Sequence, residues 1–510
     1  MSTTQPPADW APLLAELAER RSAARAMGGE QRLARLRANG RLNAREQIER
    51  LCDEASFREL GTLAGGLSHA GLPPAPADAL VGGIARIDGR TVVVGAEDFT
   101  VQGGSIGFAT AAKRLRLAEI AGRERVPLVM LLDGAGERAS NALQRYPYAP
   151  NDMQEMARLS GMVPTVSVVT GSSAGHGAVT ALLSDLVIML ESATLFAAGP
   201  ALVAAATGET VSKEELGGAR MHAATSGVAH TIVADETEAF TLVRRYLGLL
   251  PGSAWAWPPS SAPAAPGDDD PDALLRLVPR DPLRPYDMRA VLHALLDAGD
   301  VLEIQPLFGR SMITALGRLG GESVAIVANQ PTVLAGAVDH DAADKAARFL
   351  RIAEAFHLPV IFLADNPGVL SGSKAERAGT LRAAARLYMA QSRLRVPKMH
   401  VTLRKAYGFG SSVMGMNPFD AQTLTLAFPG ISLGGLPAAG AGVAGYDKAG
   451  RDEMAGRQAE GAWSAGDTLA YDEIIDPREL RDALLAGLAL GIERRNGADP
   501  GPASHAGIWP

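Results

Sequence analysis

Cysteine is nearly absent: Cys52 is the only one in 510 residues. No disulfide can close within the chain, and no cysteine-based metal site can form. Long apolar runs are missing too. The longest, such as Val126 to Leu132, read as short buried strands and fall far below the roughly 20 residues of a membrane span. Met1-Ser-Thr-Thr-Gln-Pro-Pro shows no basic segment followed by an apolar one. A secretion signal is therefore not expected, and the expected location is cytoplasmic. There is no surplus of positive charge, since 49 Lys and Arg stand against 56 Asp and Glu for a net charge of −7. Neither nucleic-acid binding nor a polybasic membrane patch is expected.

What is present is a globular composition, with 47% hydrophobic and 21% charged residues. The length suits two domains of roughly 200–250 residues. Residues 10–51 read as helical, with Leu13, Leu14, Leu17, Leu33, Leu36, Ile48 and Leu51 at helical spacing. From Val81 to Asp98 the period shortens, and the turn Asp88-Gly89 splits two apolar strands into a hairpin. An amphipathic helix over 107–123 and the strand Val126 to Leu132 follow. Helix alternating with apolar strand predicts a wound α/β layer. Residues 251–285 break the rhythm, with nine prolines around Asp268-Asp269-Asp270, and read as a linker. The expected domains are 1–255 and 286–510, joined by 256–285.

The second half repeats the first. Ala85-Arg-Ile-Asp-Gly-Arg-Thr-Val-Val-Val94 is answered by Gly317-Arg-Leu-Gly-Gly-Glu-Ser-Val-Ala-Ile326, with Arg86 and Arg318 offset by 232. Val126-Pro127 is answered by Leu358-Pro359, and Asp133-Gly-Ala-Gly136 by Asp365-Asn-Pro-Gly368, at the same offset. Val163-Pro164 pairs with Val396-Pro397, and Gly175-His-Gly177 with Gly408-Phe-Gly410, at 233. Matches in order at nearly constant spacing indicate a duplicated domain.

Each half carries a buried strand, then a glycine-rich turn, then a helix. These are Val166 to Thr170 with Gly171-Ser-Ser-Ala-Gly-His-Gly177, and Val401-Thr-Leu403 with Arg404-Lys-Ala-Tyr-Gly-Phe-Gly410. Glycine permits the dihedrals of such turns. A helix start leaves N–H groups unpaired, and two of them can hold an oxyanion. Two such pockets suit a reaction with two enolate-like partners, a thioester and a ureido ring. The same turns can also bind phosphate, or simply turn.

Several strings resemble the carboxyltransferase (beta) subunits of acyl-CoA carboxylases. They are Asn39-Gly-Arg-Leu-Asn-Ala-Arg-Glu-Gln-Ile48, Glu97-Asp-Phe-Thr-Val-Gln-Gly-Gly-Ser105, Glu214-Glu-Leu-Gly-Gly-Ala-Arg-Met-His222, Asn329-Gln-Pro331, Arg404-Lys-Ala-Tyr-Gly408 and Ile474-Ile-Asp-Pro-Arg478. The resemblance covers roughly residues 30–495. It implies an α/β chain of two tandem crotonase-like β-β-α superhelix domains, in head-to-tail dimers commonly assembled into a hexamer. Acyl-CoA would sit on the N-terminal domain, and carboxybiotin would enter from the C-terminal domain of the partner. The implied oxyanion donors are the backbone N–H groups of Gly175 and His176, and those of Phe409 and Gly410. Gly103, Gly104, Gly136, Gly368, Tyr407 and Gly408 are the implied lining for acyl-CoA and biotin. The implied mechanism uses no metal and no side-chain base. His176 and Phe409 stand where many members have glycine, and Asp365 to Gly372 replaces the usual Pro-Gly-Phe-Leu-Pro-Gly string. No Met-Lys-Met biotinylation string and no ATP-grasp-sized region occur, so a biotin carboxylase and biotin carrier are expected on another polypeptide.

Other readings stay open on the residues alone. The chain could be a crotonase-fold acyl-CoA decarboxylase, a biotin-independent acyl-CoA enzyme, or a scaffold. His176 could act as an acid or base, or contribute only its N–H. Glu137-Arg138 could line a site or form a structural pair. Arg404-Lys405 could meet phosphates or pair within the protein. His222 and His230 are not expected to bind metal, and Trp255 and Trp257 are expected to pack.

Overall fold

The computed structural model describes residues 9–68, 73–139, 152–416, 420–435, 437, 446–493, 499–503 and 507–509. It divides into two compact units. One holds the chain up to His222 together with Thr231–Leu247, and the other holds Ala223–His230 and Gly248–Trp509. The proline-rich stretch 256–285 lies within the second unit. Its carbonyls and amides are tied down there: Arg318 donates to Pro259 O at 3.0 Å, and Ser261 N–H donates to Gly321 O at 2.9 Å. Ala273 and Leu274 from the same stretch are buried beside Met288, Val291 and Leu292.

The expected helical region 10–51 is three helices, Ala11–Arg25, Glu30–Ala38 and Ala44–Leu51. Gly29, at φ 87°, separates the first two. Asn43 caps the third in a reciprocal box with Glu46, which satisfies the amides of its first turn.

In the first unit a seven-stranded sheet begins with a short antiparallel strand, Arg58–Glu59, and then the hairpin Leu80–Ile87 and Arg90–Glu97. Leu128–Leu132, Thr165–Val169, Leu186–Leu190 and Thr231–Val233 extend it in parallel. These parallel strands read as unbroken apolar runs because both faces are covered. Ser172–Ala174 and Thr194–Phe196 form a separate parallel ribbon.

The second unit repeats this order with Val301–Ile304, Met312–Leu319, Glu322–Asn329, Val360–Asn366, Lys398–Tyr407, Leu424–Ala427 and Glu473–Ile474. Here the strand and ribbon are one. Lys398–Tyr407 pairs with Leu424–Ala427 through 399–402 and with Ser432–Gly434 through 405–407.

The duplication reaches individual contacts. Asp88 and Gly89 have φ 50° and 75°, and Gly320 and Gly321 have φ 61° and 84°, the two-residue turn that matches strand twist. In each unit an aspartate accepts from both turn amides. Asp53 takes Asp88 N–H at 2.9 Å and Gly89 N–H at 2.7 Å. Asp297 takes Gly320 N–H at 2.9 Å and Gly321 N–H at 2.7 Å. Each is paired with arginine, Arg244 at 3.3 Å and Arg481 at 2.6 Å. Each unit also buries a lysine. Lys113 donates to the carbonyls of Ala77 and Leu80, and Lys345 to those of Gln305 and Phe308. Burial pushes them down to about 8 and about 7. No helix among the described residues is long and apolar enough to cross a membrane.

Asp297→Ala removes the acceptor of two turn amides and leaves Arg481 without its carboxylate. Urea unfolding at pH 7 should show a loss of about 3 kcal/mol. A change below about 0.5 kcal/mol would mean that the clamp contributes nothing.

Candidate active site

In the first unit the ribbon strand Ser172–Ala174 runs into the helix His176–Leu182 through Gly175 alone. Gly175 sits at φ 57° and ψ −118°, a combination that a side chain would strain. Gly136 lies alongside, and a Cβ there would come 2.7 Å from the Ala174 carbonyl oxygen. Its loop is joined on the other side to Gly103 and Gly104. Ala135 N–H donates to Gly103 O at 3.0 Å, and a Cβ on Gly104 would lie 2.2 Å from Asp133 O. Gly103, Gly104, Gly136, Gly175 and His176 are thus brought together.

The amides differ from expectation in one respect. Gly175 N–H donates to Phe196 O at 3.0 Å, so it is already used. Gly175 shapes the turn instead. The N–H groups of His176 and Gly136 have no hydrogen-bond acceptor among the described residues.

The second unit builds the same corner. Gly408, at φ 52°, opens the helix Gly408–Val413. A Cβ on Gly410 would meet the Gly368 Cα at 2.6 Å, and one on Gly336 would meet Asp365 O at 2.3 Å. The amides of Phe409 and Gly410 have no acceptor among the described residues, whereas Gly368 N–H donates to Asn366 Oδ1 at 3.1 Å. Tyr407 is buried, and its hydroxyl is engaged by Ser432 Oγ at 2.5 Å and Gln458 Oε1 at 3.2 Å. It therefore supports the wall of the corner rather than offering a free hydroxyl. Phe409 packs its ring 5.6 Å from that of Tyr388.

A charged network that sequence reasoning missed lies behind the first corner. Arg114, from the helix Phe108–Glu124, is fully enclosed. It donates Nε–H to Asp152 Oδ2 at 2.8 Å, Nη1–H to Glu97 Oε1 at 2.7 Å and Nη2–H to Thr180 Oγ1 at 2.7 Å. Glu97 Oε2 accepts from Asp133 N–H at 2.8 Å. Asp152 Oδ1 is bonded to His176 Nε2. Burial pushes the Glu97 carboxyl up to about 7, against the pull of Arg114. Burial also acts on Asp152, but Arg114 and His176 outweigh it and hold that carboxyl at about 2. The one signal in the sequence was an arginine in the buried stripe of an amphipathic helix.

The remaining candidates are structural. Arg138 donates to Asp78 at 2.6 Å and to Ser105 O at 2.8 Å. Arg404 is buried against Asp365 at 2.9 Å and the carbonyls of Asp281 and Arg284 at 2.8 and 2.6 Å, while Lys405 lies 3.5 Å from Asp365. Both cations are thus directed inward. His222 Nε2 bonds Leu195 O at 2.6 Å. No group of three or more metal-capable side chains exists among the described residues. Trp257 packs edge-on against His357 at 5.0 Å. A cavity of about 290 Å³, lined by Arg32, Arg35, Arg41, Phe99 and Gln102, opens next to Gly103.

Residues 35–493 match the family model described as carboxyl transferase domain. Methylmalonyl-CoA decarboxylase subunit alpha of Veillonella parvula is 33% identical over 499 residues, which cover 95% of this chain and 96% of that one. The carboxyltransferase subunit of propionyl-CoA carboxylase from Haloferax mediterranei is 35% identical over 496 residues, covering 94% and 96%. Among solved structures, transcarboxylase 12S, described as a hexamer assembly with methylmalonyl-coenzyme A and methylmalonic acid bound, aligns with a TM-score of 0.89 at 31% identity, covering 100% of both chains.

Arg114→Met would leave Glu97 and Asp152 buried without their cation. The expected loss is about 3–5 kcal/mol in urea unfolding at pH 7. Adding Glu97→Gln should recover part of it, because one uncompensated charge disappears. Equal stability of wild type and Arg114→Met would contradict the network.

Proposed function

Because this chain belongs to the carboxyl transferase domain family, we propose that its two glycine corners divide the work of a biotin-dependent acyl-CoA carboxylase. The chain is the carboxyltransferase subunit of such an enzyme, built from two crotonase-like units. The first unit holds the acyl-CoA and the second receives the biotin group. The observation that carries this division is the repeated corner, in which a helix-start amide without an acceptor stands beside a loop glycine.

The physical logic is electrostatic. Removing the α-proton of a thioester puts negative charge on its carbonyl oxygen, and fixed N–H groups stabilise that charge without reorganising. In the first unit the amides of His176 and Gly136 supply this, with Gly175, Gly103 and Gly104 setting their positions. In the second unit Phe409 and Gly410 supply it, with Gly408, Gly368 and Tyr407 in support. Carboxybiotin, on a carrier polypeptide, supplies the carboxyl group. The second corner suits an uncharged ureido ring, because Asn329, Ala346 and Ala384 stand at the sequence positions that match Glu97, Arg114 and Asp152 of the first. The cationic cavity beside Gly103 suits the phosphates of coenzyme A. Head-to-tail dimers assembled into a hexamer are the proposed quaternary state, supported by the hexamer of transcarboxylase 12S.

A decarboxylase is the second reading, favoured by the Veillonella parvula relative. It uses the same enolate pocket and loses CO₂ instead of accepting it.

Phe409→Pro deletes one amide at a position in the first helical turn, where proline is tolerated. With the cognate biotinylated partner, ATP, bicarbonate and propionyl-CoA, carboxylation should fall roughly 10²–10³-fold. Phe409→Ala, which keeps the amide, should stay within several-fold of wild type. Equal rates for both variants, or carboxylation that proceeds without the biotinylated partner, would overturn the reading.

A further inference from the structure

Two backbone amides act together on one oxygen only if the distance between them is fixed. In the first unit they come from different segments, His176 from a helix start and Gly136 from the loop after Leu128–Leu132. Glu97 lies between the two. Its Oε2 accepts from Asp133 N–H at 2.8 Å. A Cβ on Gly134 would come 2.7 Å from Oε2, and one on Gly177 would come 3.5 Å from Oε1. One carboxylate thus touches both the loop and the helix.

Arg114 ties that carboxylate to the helix at two further points. Its guanidinium donates to Glu97, to Thr180 Oγ1 and to Asp152, whose other oxygen is bonded to the His176 ring. His176 and Thr180 are four residues apart, so both lie on one face of the helix. Thr180 Oγ1 in turn donates to Gly177 O at 2.9 Å. A guanidinium presents its donors in a rigid planar fork, so acceptors gripped by one fork do not shift independently. The second unit shows which part is shared. Asn329, 232 residues after Glu97, also holds the loop amide, with Asp365 N–H donating to its Oδ1 at 3.1 Å. Between loop and helix stands neutral Asn366. Its Oδ1 accepts from Gly368 N–H at 3.1 Å and would lie 2.3 Å from a Cβ on Gly410. Ala346 and Ala384 occupy the positions that match Arg114 and Asp152. The charged spacer therefore belongs to the first corner alone.

We infer that Arg114 is the positioning residue of the first corner, setting the spacing of the His176 and Gly136 amides through Glu97, Asp152 and Thr180. This rests on the reading of that corner as the acyl-CoA pocket. The four side chains act through the backbone and exchange no proton with the substrate. Preorganised donors stabilise a developing oxyanion only while they stay in place, so loosening the spacer weakens the transition state more than the bound thioester.

The test separates geometry from charge. Arg114→Lys keeps the cation that Glu97 and Asp152 require, but one ammonium cannot span all three acceptors. With the cognate biotinylated partner, ATP, bicarbonate and propionyl-CoA, its kcat should fall on the order of 100-fold. The Kd for propionyl-CoA should stay within about twofold, since ground-state binding is spared. The carbonyl of bound [1-¹³C]propionyl-CoA should lose most of its downfield shift. Loss of CO₂ from the carboxylated carrier without propionyl-CoA, the task of the second corner alone, should keep its wild-type rate. Thr180→Val removes one acceptor and no charge, and should lower kcat roughly 10-fold with a partial loss of the same shift. It carries the test should Arg114→Lys fail to fold. Wild-type kcat and carbonyl shift in either folded variant would overturn the inference. Equal losses at both corners would overturn it too, because the network would then serve only the fold. If the bound thioester shows no shift even in wild type, the acyl-CoA reading falls and takes the inference with it.

Discussion

The whole arrangement depends on how closely two loops approach each other at the end of the parallel strands. At Gly104 a Cβ would sit 2.2 Å from Asp133 O, and at Gly336 it would sit 2.3 Å from Asp365 O. Side chains cannot be accommodated at such distances. Only glycine lets the chain after the hairpin lie against the chain after the next strand. That contact brings Gly136 to the start of one helix and Gly368 to the start of the other. The positive φ values of Gly104 and Gly336, 68° and 84°, set a second demand for glycine. Packing supports these corners, since the strands leading to them are buried throughout their length.

On this common backbone the two units differ in charge. The first surrounds its corner with Glu97, Arg114, Asp152 and His176. The second keeps its aspartate, Asp365, but matches it with Arg404 and Lys405 and leaves the corner itself uncharged. A buried ion pair gives little net stability after desolvation, so such a network is retained more for the geometry it fixes than for its energy. Divergence after duplication has left the first corner backed by a buried charged network and the matching positions of the second without charge.

The sequence made the duplication legible because its strongest marks are local. Asp88-Gly89 and Gly320-Gly321 must turn, Val163-Pro164 and Val396-Pro397 must precede strands, and each pattern survives at constant offset. The glycine corners were legible for the same reason. Gly175 N–H was not, because its acceptor, Phe196 O, comes from a separate ribbon strand. The Arg114 network was hidden because its members are spread from 97 to 180 and have no charged counterparts in the other half. Lys113 and Lys345 carried no signal of burial in the sequence, yet both turn inward to carbonyls. The prolines of 251–285 suggested a free connector, but proline blocks only donation, and Pro259 serves as an acceptor.

The division of labour between the corners can be read on the substrate itself. The ¹³C resonance of [1-¹³C]propionyl-CoA reports polarisation of the thioester carbonyl by whichever amides hold it. The account predicts a downfield shift on binding that survives in Phe409→Pro and disappears in His176→Pro. A shift lost in Phe409→Pro and kept in His176→Pro would contradict it.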